Sequence, residues 1–98
     1  MKLPYLDPIL HNQLRLSVMA LLIQVDSAEF SWLKDSTEAT AGNLSVQLTK
    51  LQTVGYIDIE KSFKNNKPLT TCSLTTKGKI AVESYLNALK SYFDSSIS

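Results

Sequence analysis

The chain has 98 residues, ten Lys plus Arg against nine Asp plus Glu, and a net charge of +1. That length supports one domain, 1–98, able to bury roughly two-thirds of the surface its unfolded chain exposes, and 44% hydrophobic with 19% charged residues sets it among globular rather than disordered chains. The longest apolar run, Val18 to Ile23, falls far short of the roughly 20 residues that span a bilayer.

The start of the chain, interrupted by Pro4, Asp7 and Pro8, does not read as a secretory signal. A single cysteine, Cys72, allows no intrachain disulfide, so a cytoplasmic protein is expected. One His and one Cys cannot form a conventional four-ligand zinc site, and neither metal nor cofactor is expected.

Asp7-Pro8 reads as the start of a helix. Leu14, Val18, Leu21, Leu22 and Val25 then recur at helical spacing, predicting a helix over 8–24, breakable near Asn12 and ended by Asp26-Ser27. His11 is expected to be partly buried and to bond locally. Ala28-Glu29-Phe30 suggests a minimal strand. Ser31 is expected to cap a helix over 32–38 with Leu33 inward. Thr40 caps the next, over 41–53, which carries Leu44, Leu48 and Leu51 inward and ends at Gly55.

Beyond Gly55 the period becomes two. Tyr56 to Glu60 alternates apolar and acidic residues, Lys64 to Pro68 has turn composition, and Thr70 to Thr75 is rich in β-branched residues. A hairpin pairing 56–63 with 69–75 follows, with Cys72 on its inward face. Thr75 or Thr76 caps a last helix, 76–93, with the stripe Val82, Tyr85, Leu86, Leu89, Tyr92 and Phe93. Residues 94–98 are expected to fray.

Two short helices joined tightly and followed by a hairpin are the winged-helix plan. The fold class is α+β, mainly α: a winged helix-turn-helix with a two-stranded wing and a C-terminal dimerisation helix.

Three stretches carry a resemblance. They are Leu6-Asp7-Pro8-Ile9-Leu10-His11 with Arg15-Leu16; Thr40-x-Gly42-Asn43-Leu44-Ser45-x-x-Leu48-x-Lys50-Leu51-x-x-x-Gly55-Tyr56-Ile57; and Pro68-x-Thr70-Thr71-x-x-Leu74-Thr75-x-x-Gly78. In this order, over about 6–93, the chain resembles the small prokaryotic winged-helix transcriptional regulators of the broad MarR/ArsR-like group. The resemblance implies a homodimer on double-stranded DNA, with helix 41–53 in the major groove and the wing on the backbone or minor groove. Val46 and Gln47 stand where such regulators often carry basic or imidazole side chains, and Cys72 where an aromatic is usual.

Charge position agrees with that surface. Residues 43–79 hold six lysines against Asp58 and Glu60, a net of +4; residues 1–42 come to −2 and 80–98 to −1. Local excess matters more than the total, because phosphate contact supplies most non-specific affinity. The expected DNA-binding residues are Thr40, Gly42, Asn43, Ser45, Val46, Gln47 and Lys50 on the helix, and Lys64, Asn65, Asn66 and Lys67 at the wing. Asn and Gln can pair bidentately with adenine, and Lys can bond guanine or phosphate.

Tyr5, Leu6, Ile9 and Leu10 at one end, with Tyr85, Leu89, Tyr92 and Phe93 at the other, suggest a two-fold interface; the alternative is packing of the two ends within one chain. There is no nucleophile motif or Gly-rich phosphate loop, so no enzyme is expected. The sequence names no effector. A repressor is expected, because occupying DNA needs no further surface. The alternative, prompted by neutral Val46 and Gln47, is a winged-helix protein-interaction module without specific DNA binding.

Overall fold

The computed structural model describes residues 2–94. Within them the order is α1 (Gln13–Val25), β1 (Ser27–Glu29), α2 (Phe30–Thr37), α3 (Ala41–Thr53), β2 (Ile57–Lys64), β3 (Lys67–Leu74) and α4 (Thr76–Asp94). The strands form one antiparallel sheet in the order β1-β3-β2. The strand expected at Ala28-Glu29-Phe30 lies one residue earlier, at Ser27–Glu29, with Phe30 already in α2, and the wing hairpin is two strands of a three-stranded sheet.

The entry to α1 is where local signals compete. Asp7 does cap a turn, its carboxylate accepting from Ile9 N–H at 2.9 Å and its carbonyl from His11 N–H at 3.0 Å. The turn then stops, and the helix proper starts at Gln13 with Asn12 as its cap, accepting from Arg15 N–H at 3.0 Å. The buried face of α1 is Arg15, Val18, Met19 and Leu22, while Val25 is exposed. The expected stripe is therefore rotated, because one buried position is an arginine.

Two other expectations need correction. Helix α2 begins at Phe30, not after Ser31: β1 runs directly into it, and Glu29 makes no side-chain cap. The hairpin loop is only Asn65-Asn66, both at positive φ (53° and 63°), the pattern of a type I′ turn that asparagine tolerates. Lys64 and Lys67 are consequently strand residues paired across the ladder.

The core is Leu10, Val18, Met19 and Leu22 from the N-terminal side, Leu33, Leu44, Leu48 and Leu51 from the two short helices, Ile57 and Cys72 from the sheet, and Val82 and Tyr85 from α4. Helix α4 joins through a tight junction. Thr75 Oγ1 accepts from Gly78 N–H at 2.9 Å and donates to Gly55 C=O at 2.6 Å. A Cβ on Gly78 would stand 2.1 Å from Tyr56 O, so only glycine lets α4 start this close to β2.

The radius of gyration is 15.2 Å and the long axis 59 Å, against about 13 Å for the radius of a compact chain of 100 residues. The excess fits the hairpin and α4, whose far ends at Phe63 and Phe93 are exposed. Asp94 closes α4; the rest of the tail expected to fray, 95–98, lies outside the described residues.

Candidate nucleic-acid interface

Helix α3 forms as its sequence dictates. Thr40 caps it, accepting from Asn43 N–H at 3.1 Å, and Leu44, Leu48 and Leu51 are buried. By helical spacing the opposite face centres on Gly42, Val46, Thr49 and Thr53, all of them exposed. Asn43 and Lys50 flank this face on the α1 side, Ser45 and Gln52 on the wing side.

Gln47 is not on the open face. It is half-buried, and its Oε1 accepts a short hydrogen bond from Arg15 Nη1. Its Nε2 donates to Asn43 Oδ1 at 3.0 Å. Arg15, only 9% exposed, also donates from Nε to Ile9 C=O at 2.6 Å and from Nη2 to Pro8 C=O at 3.3 Å.

The wing carries Lys64 and Lys67 directly opposite each other, with Asn65 and Asn66 at the tip, all four exposed. Like charges facing each other across a ladder destabilise it; a phosphate between them would reverse that sign. On the other face of β2, Ile57, Ile59, Lys61 and Phe63 alternate. Ile57 packs into the core, but the hairpin outruns the core, and Phe63, opposite Pro68, is 76% exposed. A groove between α3 and the wing is lined by Ser45, Thr49 and Gln52 on one side and Lys61 and Thr70 on the other, over Phe30, Leu48 and Ile59. Lys61 and Phe63 are absent from the residues expected from sequence. Their signal is the β2 alternation continued past the body.

The remaining lysines of the basic stretch 43–79, Lys77 and Lys79, are exposed in the first turn of α4. Lys77 stretches over Gly55, its Nζ 3.7 Å from where a Cβ would stand there. A cation at the end of α3 suits that helix's dipole and offsets its poor position in α4.

The two ends of the chain pack on each other in part. Leu10 and Tyr85 belong to the core and offer no surface to a partner. Tyr85 OH pairs with His11 Nδ1 at 2.8 Å; His11 is exposed and reaches across the fold instead of bonding locally. Tyr92 OH donates to Pro4 C=O at 3.0 Å, and Leu6, Ile9 and Leu89 pack half-buried on the core. Tyr5 (79% exposed) and Phe93 (69%) project outward, joined by Leu3 and Leu86. Tyr56 OH donates a short bond to Asp7 Oδ2; burial, then the carboxylate, pushes its pKa up to about 12. Cys72 is buried in the core, which pushes its thiol up to about 11. Among the described residues no group of three or more His, Cys, Asp or Glu could hold a metal, and no helix is long and apolar enough to cross a membrane.

A helix-turn-helix, a lysine-bearing hairpin and an exposed face on the second short helix define a winged-helix protein. The chain belongs to the winged helix DNA-binding domain family, whose model matches residues 14–93. An uncharacterized protein of Methanocaldococcus jannaschii is 32% identical over 78 residues, 80% of this chain and 85% of that one. The structure of a transcriptional regulator homologue from Pyrococcus horikoshii OT3 superimposes with a TM-score of 0.83 at 29% identity, covering 89% of this chain and 86% of that one. An ArsR family transcriptional regulator shares the fold, with a TM-score of 0.59 at 20% identity over 89% and 84% of the two chains. The winged-helix fold expected from the sequence motifs is thus the fold of this family and of these structures.

Proposed function

We propose that this chain is a cytoplasmic, non-enzymatic repressor that binds double-stranded DNA as a homodimer. Helix α3 enters the major groove and the wing rests on the backbone or minor groove. The observation that carries this reading is the opposed, exposed pair Lys64 and Lys67 at the tip of a hairpin whose other face borders the groove beside α3. Two like charges are held together there with no role in the core.

In this reading Lys50, Lys64 and Lys67 neutralise phosphates, with Asn65 and Asn66 at the backbone between them. Gly42 lets the first turn of α3 approach a phosphate, where Thr40 and Ser45 add hydroxyls. Val46, at the centre of the face, packs on the edge of a base such as the thymine methyl. Asn43 reads an adjacent base, and Gln47 acts through it. The dimer forms through Tyr5 and Phe93, with Leu6, Ile9, Leu89 and Tyr92 beneath them.

The test is a gel shift with the full chain over a salt series. Lys50→Ala and the double variant Lys64→Ala/Lys67→Ala should weaken binding, and the slope of log affinity against log salt should drop by about 0.9 for each phosphate no longer neutralised. Binding indifferent to salt and to all three lysines overturns the surface. The neutral Val46 and the engaged Gln47 favour a second reading, a protein-interaction module. In that case no duplex is enriched while a stable protein partner is recovered.

A further inference from the structure

An amide side chain can usually be turned either way, so an Asn or Gln on a recognition helix can offer donor, acceptor or both. Here one residue removes that freedom. Arg15 has five N–H donors, no acceptor, and a guanidinium that stays charged. It is buried, and two of its nitrogens are spent on the carbonyls of Pro8 and Ile9. Facing Nη1, Gln47 must present Oε1. Its Nε2 is then turned away and meets Asn43, which must present Oδ1. The last group of the chain, Asn43 Nδ2, is thereby turned away from Gln47, on an exposed residue in the first turn of α3.

We propose that Arg15 is a specificity-determining positioning residue: through Gln47 it fixes Asn43 as a hydrogen-bond donor toward DNA. This rests on the DNA-binding reading above and deepens it. Bidentate pairing with adenine needs both the amide nitrogen and the amide oxygen of Asn on one base edge, and the oxygen, with one of its two lone pairs taken, is turned toward Gln47. The matching edges are those that only accept: guanine N7 and O6, or thymine O4. Arg15 touches no base. It acts from the far side of α3, and it ties the polarity of the reading group to the turn at Pro8 and Ile9 that precedes α1.

The experiment is a selection from random duplex DNA with the full chain and four variants. Asn43→Ala locates the base pair that Asn43 reads, as the one position where preference is lost. At that position the wild type should favour guanine or thymine over adenine by roughly three- to tenfold, the worth of one net hydrogen bond. Asn43→Asp, which replaces the donor by acceptors, should switch the preference to cytosine, whose N4 donates. Arg15→Met should admit adenine at that base pair and leave the rest of the site unchanged, whereas Arg15→Lys, still a pure donor, should retain the wild-type preference.

A purely structural arginine would lower stability and affinity at all sequences alike and leave that base preference alone. Should Arg15→Met fail to fold, Gln47→Leu, which cuts the same relay on α3, takes its place and should likewise admit adenine at that base pair. Adenine preferred by the wild type, or a preference unmoved by Asn43→Asp, overturns this proposal alone. A library that the wild type cannot enrich overturns the DNA-binding reading as well.

Discussion

Gly42 offers a test in which stability and binding should move in opposite directions. It stands in the first turn of α3. Nothing lies within 4 Å of the position a Cβ would take, and its φ is not in the left-handed region. No intramolecular reason for glycine exists here, yet glycine in a helix costs about 0.5–1 kcal/mol relative to alanine. Gly42→Ala should therefore stabilise the folded domain by about 0.5–1 kcal/mol, partly by restricting the unfolded chain. For a chain this size that raises Tm by roughly 2–8 °C. If the open space exists for a phosphate, the added methyl should displace it from the first-turn N–H groups. The loss is one charge-assisted hydrogen bond, about 1.5 kcal/mol or roughly tenfold in affinity. Thermal melting at fixed protein concentration, which matters for a dimer, reads the first effect. Titration of a selected duplex at one salt concentration reads the second. A variant that is more stable and binds equally well refutes close approach at this turn; a less stable variant refutes the reading that the space is open.

Two further predictions concern the frame that holds the surface. Gly78→Ala should behave oppositely to Gly42→Ala, because its Cβ would collide with the Tyr56 carbonyl; a loss of about 3 kcal/mol or more is expected in denaturant titration, and a neutral result would mean that α4 can shift freely. Tyr56 and Cys72 both have raised pKa values, about 12 and about 11 against ordinary values of 10 and 9. The folded state holds both protons more tightly, so their contribution is fully present below about pH 9 and is lost as pH rises towards 12. Stability measured across that window should fall, and Tyr56→Phe or Cys72→Ala should flatten the fall.

The parts of the fold written in local signals were legible. Thr40, the Leu44, Leu48 and Leu51 spacing and Gly55 specify α3 to the residue, because cap, stripe and stop agree. The start of α2 was hidden because β1 leads into it without a capping side chain. The hairpin ends were hidden because Lys64 and Lys67 look like turn residues but pair as strand. What the sequence conceals most is non-local. Arg15 and Gln47 are 32 residues apart, and nothing along the chain says that a polar residue fills one step of the α1 core face. Nothing next to Gly78 in the chain says why it is glycine; the reason is the Tyr56 carbonyl, 22 residues away, against it. His11 and Tyr85 are 74 residues apart, which is why Tyr85 looked available to a partner when the protomer had already buried it. The candidate surface was legible in its lysines and in α3, but not in which amide is free to read a base.

In the proposed function two copies of this chain read DNA together. The most direct measurement is a selection from random duplex DNA with the purified full chain, followed by footprinting and stoichiometry on the enriched duplex. Two chains per duplex are expected, on two half-sites with centres one helical turn apart, ~34–36 Å, with binding that weakens steeply with salt. A duplex pool left unenriched, or a site occupied by a single chain, contradicts it.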